Sequence, residues 1–211
     1  METVSLKSTI EQLDKLFEKV NNRFFNNELQ KPVIAVNSEG GTNSYGWLTL
    51  WKSWKESTNK DDDNNGHYEL NMCAEALHRP LGDVLGTLIH ECVHLYNLQN
   101  EIKDTSRGNT YHNKKFKEEA EKRGLTIERH DKYGWTITTL NEEGKEFLET
   151  ITDTNFELHR TPMNVVEKLK VKKKSSSKKY VCSGCGLIIR ATKEVNIKCG
   201  DCDIVMECDE E

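Results

Sequence analysis

The segment from Leu81 to Gln99 constrains this chain most, because a helix-length apolar pattern there also holds two histidines and a glutamate in fixed register. Val84, Leu85, Leu88, Ile89 and Val93 recur at the spacing of one helix face, and Pro80 suits the residue before a first turn. Only Gly82 and Gly86 weaken the pattern. On this helix lies His90-Glu91-Cys92-Val93-His94. Residues four apart share a helix face, so His90 and His94 can point at one ion, and Glu91 flanks that face without taking a ligand position. An ionised glutamate is costly to bury unless it is paired or metal-linked, so an ordinary amphipathic helix accounts poorly for the trio. Two imidazoles and a nearby carboxylate base suit a hydrolytic zinc site, which needs a third protein ligand and leaves one position for water.

The third ligand should follow downstream, where Glu101, His112, Glu118, Glu119, Glu121 and His130 are the candidates. The run from Tyr111 to Gly124 reads as a second helix, stopped by Gly124, with Lys122 and Arg123 in its last turn to suit the dipole. His112, Phe116 and Ala120 fall four apart, so His112 shares the inward face. The three glutamates of this run sit among lysines and read as a solvated face. Asp104 to Asn109 is a polar loop that lets the second helix fold back on the first. His112 is therefore the preferred ligand and His130 the reserve.

A separate metal signal stands near the other end. Cys182-Ser183-Gly184-Cys185 and Cys199-Gly200-Asp201-Cys202 are separated by thirteen residues. Two such knuckles make a closed, structural four-thiolate zinc site, with Gly184, Gly186 and Gly200 supplying tight turns. A module this short cannot bury enough surface to fold unaided, so the metal would hold it together. Of the remaining cysteines, Cys73 and Cys92 read as small buried apolar residues, and Cys208 is left over.

With H-E-C-V-H at 90–94, R-G-N-T-Y-H-N-K-K-F at 107–116 and the terminal ribbon, the chain resembles the SprT-like (Spartan-related) metalloproteases, in particular their short bacterial and phage-type members. The resemblance implies a zincin-like minimal protease domain: an N-terminal helix, a small β-sheet, the motif helix and a third-ligand helix. It also implies that Glu91 is the general base, that His90, His94 and His112 hold catalytic zinc, and that the substrates are DNA-associated or DNA-crosslinked proteins. In such enzymes the substrate lies extended along an edge strand, for which Tyr68–Met72 is the candidate by chain order. Tyr111 and Tyr133 are the candidates to steady the oxyanion. A different reading is a nucleic-acid-binding or transcription-linked adaptor whose ribbon does the work.

The rest predicts an α+β fold. Ser8-Thr9-Ile10-Glu11 has the pattern of a capping box, and Ile10, Leu13, Leu16, Phe17, Val20 and Phe24 continue a helix to about Phe25. Pro32–Val36, Tyr45–Trp51, His67–Met72 and Tyr133–Thr138 read as strands. Trp47, Trp51 and Trp54 suit sheet or core packing better than base stacking. Glu56 to Gly66 reads as a hairpin loop, and its acidic run Asp61–Gly66 lacks the spaced ligands of a calcium site. His67, His78 and His159 have no ligand-like partners in sequence.

Charge divides the chain further. Its net charge of −5 combines −7 over residues 1–160 with +2 over 161–211. Lys168, Lys170, Lys172, Lys173, Lys174, Lys178 and Lys179 crowd a stretch interrupted by Ser175-Ser176-Ser177, which cannot pack a core. The boundaries read from this are a catalytic domain at 1–160, a lysine-rich linker at 161–179 and a ribbon with an acidic tail at 180–211. The linker is either a solvated spacer or a tether for DNA phosphates. No apolar run follows a basic one near Met1, and no stretch approaches the ~20 apolar residues of a membrane span, so a cytoplasmic location is expected.

Overall fold

The computed structural model describes residues 5–38, 44–56, 66–161 and 177–209. The acidic run up to Asn65 and the lysines at 168, 170, 172, 173 and 174 lie outside the described residues. The chain is α+β and divides into two compact units, Met1–Thr161 and Pro162–Glu211.

The first unit opens with α1 (Lys7–Phe25), whose Leu13, Leu16, Phe17 and Val20 are fully buried. The capping box does not form. Leu6 is the N-cap, and Ser8 lies inside the helix with its hydroxyl accepting from Gln12. Three strands follow as one sheet, β1 (Val33–Asn37), β2 (Gly46–Leu48) and, further along, β5 (Glu69–Cys73), in the order β1-β5-β2. β5 runs parallel to β1 and antiparallel to β2. This overturns the reading of Tyr68–Met72 as an edge. β5 is bonded on both sides, and β1 and β2 are the edge strands among the described residues. The Tyr45 carbonyl accepts from the Cys73 amide and the Thr49 amide donates to the Glu69 carbonyl, so the alternate residues Gly46 and Leu48 turn their amides and carbonyls outward.

The short ribbon β3 (Trp54–Lys55) with β4 (Gly66–His67) leaves two of the three tryptophans out of the core. Trp51 is 66% exposed and Trp54 47% exposed, against the expectation of packing. Two-residue strands offer no second layer to cover such rings, and Trp54 instead donates its Nε1–H to Glu69. Trp47, on β2, is half-buried.

α2 (Leu81–Gln99) is the central helix, with Val84, Leu85, Leu88, Ile89, Cys92, Val93 and Leu95 fully buried. Gly82 serves its packing, whereas Gly86 has room for an ordinary side-chain contact. A methyl on Gly82 would lie 3.1 Å from Leu148 Cδ2, and one on Gly86 3.9 Å from Leu140 Cδ2. A second sheet has the order β6-β7-β9-β8: β6 (Thr105–Ser106), β7 (Tyr111–His112), β8 (Leu125–His130) and β9 (Gly134–Leu140). Two short helices accompany it, α3 (Lys114–Glu121) and α4 (Glu142–Glu149). Arg123 meets the helix end as its place in the last turn suggests, its Nη1–H donating to the Glu119 carbonyl at 2.8 Å. It is buried over the Tyr96 and Phe25 rings and pairs with Glu119 at 2.6 Å. No helix among the described residues is long and apolar enough to cross a membrane.

The second unit is a three-stranded sheet, order β11-β10-β12: β10 (Lys178–Val181), β11 (Ile188–Ala191) and β12 (Glu207–Asp209). Its core holds Tyr180, Cys182, Cys199 and Met206. Lys178 and Lys179 thus belong to a strand rather than to the linker, and Lys178 is paired with Glu194 at 2.7 Å.

Candidate metal centres

His90 and His94 project from one face of α2, as their four-residue spacing demands. His112 reaches them from another element than the sequence suggested. It lies on β7, and α3 begins only at Lys114. Asn113 decides this: its backbone is extended, and its Oδ1 accepts from the amides of Lys115 and Phe116, which makes it the N-cap and excludes His112 from the helix. His112 is instead held by pairing with Thr105 on β6 and Gly134 on β9, and its amide donates to the Tyr133 carbonyl at 2.9 Å.

The three imidazoles converge through Nε2, with His112 3.2 Å from His90 and 3.0 Å from His94. Neutral rings cannot hold three such nitrogens together by hydrogen bonds alone. An ion about 2.0 Å from each nitrogen would space them about 3.3 Å apart in a tetrahedron. The donor set therefore fits a metal ion. Phe116, fully buried, supports all three rings, with centroids 4.5, 4.6 and 4.8 Å from those of His90, His94 and His112.

The opposite ring nitrogens show what orients the ligands. The Asp104 carboxylate accepts from His94 Nδ1 at 2.7 Å and from Asn97 at 3.0 Å. His90 Nδ1 meets the Thr138 hydroxyl at 2.8 Å, and that hydroxyl donates onward to the Thr136 carbonyl. Both contacts leave Nε2 as the lone-pair nitrogen, the arrangement expected around a bound metal. Burial holds His90 well below the ordinary imidazole range and His112 down at about 4, with the charge of His94 adding to both. Burial also opposes the charged form of His94, but the Asp104 hydrogen bond and the Glu91 charge raise it overall. Asp104 had been read only as part of a polar loop. Nothing local marks a single aspartate ten residues past a histidine as its partner.

Glu91 is 6% exposed and takes no part in the histidine cluster. Burial pushes its carboxyl up to about 7, against the pull of His94. The edge strand β2 passes close above it, since a methyl on Gly46 would lie 3.1 Å from Glu91 Cγ. Glu91 and the three histidines line one cleft, walled by Ser44–Leu48 on one side and by Thr136–Leu140 on the other. Of the two candidate tyrosines, Tyr133 lines this cleft. His130, the reserve ligand, is not in the cluster; its Nδ1 accepts from the amides of Lys132 and Tyr133, and its ring stacks on Tyr133.

Gly134 makes the approach of His112 feasible. Its φ is +77°, and a methyl there would fall 2.2 Å from the His112 carbonyl oxygen. Gly134→Ala is therefore expected to displace β7, to cost ~1–2 kcal/mol in backbone strain alone, and to strip metal from the histidine cluster. Metal analysis should show one equivalent lost while the cysteine-held equivalent stays.

In the second unit Cys182, Cys185, Cys199 and Cys202 cluster, with Cys185 and Cys199 sulfurs 3.7 Å apart. A tetrahedron with ~2.3 Å metal–sulfur bonds has edges of about 3.8 Å. The amides of Cys185 and Gly184 hold the Cys182 thiol down at about 7, whereas its thiol neighbours push Cys202 up to about 12. Four cysteine sulfurs at this spacing could hold a cation between them. The knuckles turn through equivalent positions, Gly186 at φ +73° and Asp203 at φ +58°. Gly200 is not required by its turn, since its φ is not left-handed and nothing lies within 4 Å of an added methyl.

Fold and sites together define an α+β protein that has, among the described residues, a three-histidine and a four-cysteine candidate metal centre. Comparison with protein-family models, curated proteins and solved structures returned no match.

Proposed function

We propose that the chain is a zinc-dependent metallopeptidase of the H-E-x-x-H type, with a zincin-like, SprT-like catalytic unit acting on DNA-associated proteins. The observation that carries this reading is the meeting of three imidazole Nε2 atoms beside a buried glutamate that none of them needs as a ligand. A zinc ion held by three imidazoles supplies a Lewis acid that polarises a carbonyl and lowers the pKa of water to ~7. His90, His94 and His112 would hold it, with Asp104 and Thr138 fixing two of the rings. Glu91, with its carboxyl raised to about 7, takes a proton from the attacking water and returns it to the leaving amine. The outward amide and carbonyl of Leu48 on β2 pair with an extended peptide. Tyr133 is the cleft tyrosine available to donate to the oxyanion.

A DNA-tethering role rests on Lys168, Lys170, Lys172, Lys173 and Lys174 with the four-cysteine unit, Lys178 being already paired. The adaptor reading draws on the same unit, but it leaves Glu91 without a task. Casein or histone cleavage with and without duplex DNA separates the two. Cleavage is expected, together with DNA binding whose log–log salt slope is no steeper than about −4.5, at roughly −0.9 for each of the five linker lysines. Binding without cleavage would favour the adaptor.

A further inference from the structure

The cleft also holds a cation that the proposed hydrolysis does not use. Arg79 lies in the turn leading into α2 and lines the same cleft as Glu91 and the histidines. Its Nε–H donates to the Ala76 carbonyl at 3.0 Å, one Nη2–H donates to the Thr87 hydroxyl at 2.9 Å, and its guanidinium carbon lies 4.0 Å from the centre of the Tyr45 ring. Thr87 donates onward to the Asp83 carbonyl at 3.0 Å. A guanidinium has five N–H donors in a planar fork, and these bonds use two of them. Every hydrogen-bond partner of Arg79 among the described residues is neutral. The Asp83 carboxylate, also in the cleft, acts on it only through space.

Thr87 ties this cation to the reacting centre. It stands one helical turn before Glu91, and a methyl on Gly46 would touch both side chains, each at 3.1 Å. The guanidinium is therefore one hydrogen bond from a side chain that stands about one 5.4 Å turn before the proposed base, against the Tyr45 ring. Pinning the turn to α2 needs only the two bonds already made. A half-buried fork with three spare donors, braced by an aromatic face, has the geometry that binds carboxylates.

We infer that Arg79 is a specificity residue that binds a carboxylate of the substrate. The cleft then favours peptides with an acidic side chain, or a free C-terminal carboxylate, within about three extended residues of the cleaved bond, at ~3.3 Å per residue. This rests on the reading that an extended peptide occupies the cleft.

The test uses the full zinc-loaded chain carrying Glu91→Gln, so that peptides bind without turnover. Fluorescence anisotropy would compare short unstructured peptides holding Glu or Gln at each position, every one with a free or an amidated C-terminus. About tenfold tighter binding is expected for the carboxylate-bearing member of the decisive pair, in line with one charge-assisted hydrogen bond. The Glu/Gln pair and the free/amidated pair identify which carboxylate is read. Arg79→Gln should bring the ratio to about one, and Arg79→Lys should keep part of it. Asp83→Asn leaves Arg79 in place, removes the opposing charge and should widen the preference even if the arginine variants fold poorly. Equal affinity across both pairs in the chain that keeps Arg79 would overturn the inference. Repeating the series with Glu91 intact separates the two readings. Cleavage without acid preference keeps the peptidase and overturns the role of Arg79. Arg79-dependent binding without cleavage does the reverse, and no binding of any peptide overturns both.

Discussion

Changing Glu91 to Gln is expected to lower peptide hydrolysis by about two to four orders of magnitude, the usual worth of a positioned general base. Both metal equivalents should remain. The amide keeps the size and planarity of the carboxylate at a site 6% exposed, so the fold has no reason to change. It cannot accept the proton of the attacking water. Because the carboxyl is already disfavoured in its charged form by burial, a neutral replacement should leave the melting temperature equal or higher. Turnover and metal content measured on the same preparation check this. Retained turnover would mean that Glu91 is not the base. Asp104 is a poor substitute, since it is committed to His94 and Asn97.

The second large effect is expected in the cysteine unit. Cys182→Ser combined with Cys185→Ser should remove one metal equivalent of two and unfold residues 177–209, leaving the histidine-held equivalent in place. The buried core of that unit is Tyr180, Cys182, Cys199 and Met206, far less than a domain needs to offset its chain entropy. Structural zinc binding supplies ~10–16 kcal/mol in such modules, and here it would be the main source of order. Amide exchange should accelerate across β10, β11 and β12 and stay slow in α2. One metal equivalent in the unmodified chain, with chelators excluded during purification, would sink the two-site description.

Much of this is legible in the sequence. The bounds of α2 coincide with the apolar pattern from Leu81 to Gln99, because a helix burying one face writes its period into the chain. The cysteine knuckles were equally plain, since ligands two residues apart must share a turn. Other features were misread for physical reasons. His112 continues the spacing of Phe116 and Ala120, yet Asn113 caps the helix and puts His112 on a strand. Tyr68–Met72 seemed an edge, but strand order within a sheet depends on pairing across distant segments. Gly200 looked like a turn glycine, while Asp203 takes the left-handed position in that knuckle. β8 and α4 were not read, though Asn141 caps α4 by accepting from the Gly144 amide.

The sequence by itself determined what local spacing can encode: a metal-binding pair with a carboxylate between them on one buried helix, and a pair of thiolate knuckles. Only the tertiary structure decided which residues complete the first centre. His112 arrives through its pairing with Gly134, Asp104 and Thr138 orient two rings from separate segments, and β2 passes over Glu91 because Gly46 has no side chain to prevent it. These contacts join residues 10 to 48 positions apart in the chain, where no backbone period carries information and only packing and hydrogen-bond geometry select the partner.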